Sequence, residues 1–165
     1  MKDKNAQLIE ALTLAMDAEK KAAKFYRDSA SKVSADRGKI LLRQLADFED
    51  NHFEKLGELR DSLGGGGGYI TYEGTKLGSI TGEIPYEDGS PSERNLEDVL
   101  GILSLAMDAE TGAHKRYMEL AGKIGDRRGR DMFIRLADEE MLHRRILADE
   151  YYHLNNKGGV WSWGD

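Results

Sequence analysis

Two short stretches place a histidine three residues after a glutamate: Glu49-x-x-His52 and Glu140-x-x-His143. On a helix that spacing puts both side chains on one face, a turn apart. Two more glutamates, Glu19 and Glu110, also sit within apolar stripes of helical period. Glu19 lies between Leu12, Ala15 and Met16 on one side and Ala22, Ala23 and Tyr26 on the other. Glu49 and His52 lie among Leu45, Phe48, Phe53 and Leu56. Burying such groups costs several kcal/mol for each charge left unpaired. Glu–Arg and Glu–His pairs at the rim of a bundle would avoid that cost in one way. Two divalent cations would avoid it more completely, because their charge balances that of four carboxylates. A mixed carboxylate and imidazole shell suits iron or manganese. Calcium prefers an all-oxygen shell, and structural zinc prefers sulfur and nitrogen.

The same residues reveal a duplication. Shifted by 91 residues, Leu12-Thr13-Leu14-Ala15-Met16-Asp17-Ala18-Glu19 meets Leu103-Ser104-Leu105-Ala106-Met107-Asp108-Ala109-Glu110, with seven of eight positions identical. Tyr26 then falls on Tyr117, Arg37-Gly38 on Arg128-Gly129, Glu49 on Glu140 and His52 on His143. An exposed glutamate has no reason to recur on the same apolar stripe. The repeat therefore favours a buried site built from two matching halves.

The elements that must position these residues follow from composition. Both prolines, Pro85 and Pro91, and nine of the nineteen glycines fall within residues 64–91. On either side Ala, Leu, Glu, Lys, Arg and Met dominate, and apolar residues recur at helical spacing. The expectation is an all-α fold: one domain over residues 1–165, with a helical hairpin over about 3–63, a Gly/Pro-rich crossover over 64–91, a second hairpin over about 92–155 and a tail over 156–165. Ser34-Ala35-Asp36 and Gly125-Asp126 offer turn and cap chemistry inside the hairpins. Ser90-Pro91-Ser92-Glu93 reads as a capping box. Glu19 lies about 16 residues before the first turn and Glu49 about 14 after it, so both stand at one depth at ~1.5 Å per residue. Bringing all four glutamates to one level requires helices 2 and 3 to run parallel, joined by a crossover as long as a helix. That crossover reads either as a short hairpin, Tyr69–Tyr72 with a turn at Glu73-Gly74, or as a mobile surface segment with little regular structure.

One glutamate and one Glu-x-x-His, each occurring twice in a four-helix bundle, resemble the di-iron carboxylate pattern of the ferritin-like superfamily. Within it the chain is most similar to the rubrerythrin family. A tyrosine follows each first glutamate by seven residues, and Leu-Ala-Asp precedes each Glu-x-x-His. The resemblance covers residues 5–63 and 94–154. It implies a ferritin-like bundle with two iron ions, or manganese in their place. Glu19 and Glu110 would be terminal ligands, Glu49 and Glu140 would bridge, and His52 and His143 would each cap one metal. It implies a non-haem di-iron peroxidase of the oxidative-stress type, reducing hydrogen peroxide or dioxygen. Electrons would come from an external donor protein, because the chain has no cysteines for a rubredoxin-type iron site. It also implies a homodimer or small homo-oligomer. Rival readings are a ferroxidase or iron-handling protein of ferritin type and a scaffold with a vestigial site.

Some residues stand outside the core pattern. Many rubrerythrins carry an extra glutamate one turn after the third-helix ligand; here that position is Ala113, followed by His114. His114 is either a further ligand or supporting group, or a packed or exposed histidine. Tyr26 and Tyr117 either hydrogen-bond the ligand carboxylates or carry an electron, or are core tyrosines with a satisfied hydroxyl. Glu150-x-x-His153 has no repeat counterpart and lies about 15 Å beyond Glu140 along the helix, so it is read as no metal site. The aromatic tail with Trp161 and Trp163 is expected to pack on the bundle. Thirty acids against twenty-four bases argue against nucleic acid. No apolar run reaches the ~20 residues of a membrane span, and the N-terminal residues lack the apolar core of a signal peptide. A cytoplasmic protein is expected.

Overall fold

The computed structural model describes residues 4–34, 36–75 and 93–156. It contains four helices: α1 (Lys4–Ala30), α2 (Asp36–Gly64), α3 (Glu93–Lys123) and α4 (Arg127–Asn155). None is interrupted by proline, and each buries one stripe of its surface. α1 packs along α2, and α3 along α4. The α3–α4 turn is closed by Asp126, whose carboxylate caps α4 by accepting from the Gly129 N–H at 3.0 Å.

Contacts between the hairpins fix their directions. Tyr26 of α1 reaches Glu110 of α3, and Tyr117 of α3 reaches Glu19 of α1. Moving up α1 is therefore moving back along α3. Arg37, at the start of α2, pairs with Glu150, near the end of α4. Hence α2 opposes α4 and runs parallel to α3. This is the ferritin-like four-helix bundle with a long crossover that the repeat requires.

The core has two apolar layers with a polar one between. One layer gathers Leu12, Ala15, Met16, Leu56, Leu59, Tyr117, Phe133 and Leu136. The other gathers Ala23, Tyr26, Leu41, Leu42, Leu45, Leu103, Ala106 and Leu147. The glutamates and histidines of the repeat lie between them, fully enclosed.

The described part of the crossover, residues 64–75, is neither a strand nor loose on the surface. The glycine run ends α2 in an ordered cap. Gly66 takes a left-handed φ of 81°, and the Gly67 N–H returns to the Ser62 carbonyl at 2.7 Å. Residues 67–75 form no strand, yet they are docked on the bundle. Tyr69 lies so close over Gly129 that a Cβ there would come within 2.6 Å of its ring. Tyr72 is buried in the core. From the level of Gly129 to that of Glu139 the segment climbs about 15 Å along α4. Local alternation suggested a strand at Tyr69–Tyr72, but contacts with α4 set its path instead. Residues 76–92, which include most of the capping box, and the tail from 157 onward lie outside the described residues. Among the described residues no helix is long and apolar enough to cross a membrane.

Arg37 and Glu150 form a buried pair at 2.6 Å between the hairpins. Removing one partner leaves the other charge buried. Arg37→Ala is expected to lower stability by about 3–5 kcal/mol, whereas an apolar pair of similar volume at both positions recovers most of the loss. Urea unfolding of the single and double variants checks this; equal stability of Arg37→Ala and the parent would contradict it.

Candidate metal centre

α1 and α3 each contribute one glutamate to the polar layer, and α2 and α4 each contribute a glutamate and a histidine. Glu19, Glu49, His52 and Glu140 form one cluster, and Glu49, Glu110, Glu140 and His143 form a second. Within each, one ligand atom per residue lies within 4.8 Å of the others. The structure thus brings together all six residues singled out by the repeat, with Glu49 and Glu140 common to both clusters.

The geometry keeps the approximate two-fold relation of the duplication. His52 Nδ1 lies 2.7 Å from Glu140 and 3.6 Å from Glu19. His143 Nδ1 lies 3.0 Å from Glu49 and 3.6 Å from Glu110. The two rings are nearly parallel, 6.0 Å apart. Tyr26 donates to Glu110 at 2.5 Å, and Tyr117 donates to Glu19. Each tyrosine therefore holds the glutamate of the opposite hairpin. Both are core residues, and both hydrogen-bond a glutamate of the cluster.

Each of the six residues has a polar atom with no hydrogen-bond partner among the described residues: Glu19 Oε2, Glu49 Oε1, His52 Nδ1, Glu110 Oε2, Glu140 Oε1 and His143 Nδ1, with His143 Nε2 a further one on the outer edge of its ring. Buried polar groups are normally satisfied. Six unsatisfied donor atoms in one enclosed layer fit two cations.

Without cations the layer relieves its charge by holding protons. Burial and the neighbouring carboxylates push Glu49 and Glu140 well above the usual carboxylate range. Burial also raises Glu19, but the neighbouring Glu49, the His52 charge and the Tyr117 hydroxyl outweigh it and hold it at about 2. Glu110 is lowered in the same way, against its burial, by Glu140, His143 and Tyr26. Burial lowers His52, yet Glu140 and Glu19 raise it further.

The remaining candidates fall elsewhere. His114 is half-buried, and its Nδ1–H donates to the Ala137 carbonyl at 3.0 Å, tying α3 to α4. It belongs to neither cluster. Glu150 and His153 are buried, with Glu150 paired to Arg37, and neither enters a metal cluster among the described residues. Sequence reasoning missed Glu139. Its carboxylate accepts from His52 Nε2–H at 3.1 Å, from Tyr72 at 2.5 Å and from the Thr75 N–H at 2.6 Å. Burial raises Glu139, but these bonds and the His52 charge hold it at about 2. The signal was present in the repeat, where Glu139 stands opposite Phe48.

A cavity of about 600 Å³ opens between α1 and α3. Ala18, Ala22, Ala109, Gly112 and Ala113 line it, and Glu19, Glu49, Glu110 and Glu140 form its inner end. Ala113, which stands where many rubrerythrins carry another glutamate, therefore leaves open space beside the centre.

Residues 101–159 match the rubrerythrin family model. That span contains Glu110, Glu140 and His143. Among solved structures, a hypothetical protein from Pyrococcus furiosus shares the fold with a TM-score of 0.72 and 25% sequence identity over 93% of each chain. No curated protein sequence matches the chain.

Protons held by Glu49, Glu140 and His52 must leave when cations bind. Loading the metal-free protein at neutral pH is expected to release roughly two to three protons, and apparent metal affinity is expected to rise with pH. Calorimetry in buffers of different ionisation enthalpy measures the release. Binding without proton release would show that these groups are already ionised.

Proposed function

Proceeding from a chain that is rubrerythrin-like and ferritin-like in fold, we propose that it is a di-iron oxidoreductase that reduces hydrogen peroxide with electrons from a separate donor. The observation that carries this reading is the set of six unsatisfied donor atoms, arranged so that two carboxylates serve both clusters. Two iron ions bound there supply the two electrons that split an O–O bond, with two protons completing two waters. The same donor set accepts manganese.

The chain's own residues do the rest. Glu49 and Glu140 hold the paired site together from opposite hairpins. Tyr26 fixes one oxygen of Glu110 and Tyr117 one oxygen of Glu19, and the other oxygen of each has no hydrogen-bond partner among the described residues. The α1–α3 cavity admits a small oxidant, and Tyr72 covers part of the opposite, α2–α4 side. Apolar layers above and below keep bulk water from the reacting groups. These 165 residues contain no cysteine, so the electron source we propose lies outside them. On its resemblance to the rubrerythrin family we assign the protein to a homodimer or small homo-oligomer.

Anaerobic loading is expected to give about two iron ions per chain. Glu49→Ala and Glu140→Ala, equivalent under the repeat, should each abolish tight binding of the pair and peroxide turnover. Stopped-flow mixing of the ferrous protein should show faster oxidation by hydrogen peroxide than by dioxygen. Faster reaction with dioxygen, followed by a growing mineral absorbance, would instead establish iron oxidation for storage.

A further inference from the structure

The inward faces of the two clusters are near copies, but their outer faces are not. His52 is backed by a carboxylate: its Nε2–H donates to Glu139 at 3.1 Å. Glu139 is itself held by the crossover, through the Tyr72 hydroxyl at 2.5 Å and the Thr75 N–H at 2.6 Å. The Thr75 hydroxyl is anchored in turn to Asn51 of α2 at 3.2 Å. At the matching place beside His143 stands Phe48, whose ring meets the imidazole edge to face at 5.0 Å. His143 Nε2 is buried and has no hydrogen-bond partner among the described residues.

We propose that the two metal positions are inequivalent, and that the position formed by Glu19, Glu49, His52 and Glu140 binds its cation more tightly because Glu139 and the docked crossover hold His52. The proposal rests on the dinuclear reading above and adds an order of strength to it. A carboxylate behind a metal-binding imidazole fixes its tautomer and ring orientation and makes it a stronger donor. The hydrogen bond to Glu139 keeps Nε2 as the outward, protonated nitrogen, so Nδ1 is the one turned to the centre. Among the described residues His143 has no such restraint: packing against Phe48 limits the tilt of its ring but does not choose its tautomer. Losing an outer partner of this kind costs roughly 10–100-fold in metal affinity. Glu139 and Tyr72 are therefore positioning residues for one half of the centre. Among the described residues neither has a counterpart in the other half, and Phe48 stands where the repeat would put the first.

The test is an anaerobic calorimetric titration of the metal-free full chain with ferrous iron. Two binding events are expected, about tenfold or more apart in affinity. His52→Ala should remove the tighter event and His143→Ala the weaker. Glu139→Ala should weaken the tighter event by roughly 10–100-fold and leave the weaker one in place. Tyr72→Phe, which removes one hydroxyl and leaves the four helices untouched, should weaken the same event by a smaller factor. Circular dichroism confirms that each variant is folded. Two events of equal affinity, or a tighter event that survives His52→Ala, would overturn the proposal and leave the dinuclear reading standing. Fewer than two iron ions bound by the parent protein would overturn that reading itself.

Discussion

Four carboxylates and two imidazoles enclosed in a layer between two apolar cores form the constraint on which this molecule depends. Each would cost several kcal/mol if left charged and unpaired. The fold meets that demand with cross-hairpin hydrogen bonds, shared protons and, on the proposed reading, two cations. Tyr26 and Tyr117 show how closely the bundle is tied to its polar layer. Each is among the largest fully buried side chains, and each spends its hydroxyl on a glutamate of the other hairpin. The residues that pack the hairpins together are thus the residues that aim the glutamates.

The polar layer also explains why a long crossover is needed. Duplicated hairpins joined by a short turn would place helices 2 and 3 antiparallel and separate the two halves of the site along the bundle. Parallel α2 and α3 bring Glu19, Glu49, Glu110 and Glu140 to one depth. The buried pair Arg37–Glu150 then reinforces the same arrangement at one end of the bundle.

The bundle and the six central residues were legible in the sequence because their signals are local or repeated. A Glu-x-x-His on an apolar stripe needs only helical geometry to be understood, and the 91-residue shift shows it twice. The crossover was not legible for the opposite reason. Tyr72 has no periodic neighbours that announce its burial; its place is set by Glu139, 67 residues away. The glycine run likewise looks like a linker by composition, yet Gly66 and Gly67 close the end of α2 through backbone bonds that no pattern of side chains records. His114 drew attention as a titratable group one turn from Glu110. Its ring turns to a carbonyl of α4, a choice between two neighbours that spacing alone does not make.

Duplication yields a symmetric site only as far as both copies contribute to it. The segment that joins the copies occurs once, so any contact it makes with the site must break the symmetry. In this chain the crossover docks against α4 beside Glu139, at the position where the repeat sets a carboxylate against a phenyl ring. The carboxylate at that one position does two things: it gives the crossover a polar group to bind, and it gives one histidine a fixed partner. Neither is useful without the other, because Glu139 alone would be a half-buried carboxylate with fewer bonds, and Tyr72 alone a buried hydroxyl lacking its acceptor. The linker has thereby become part of the centre it was needed to assemble.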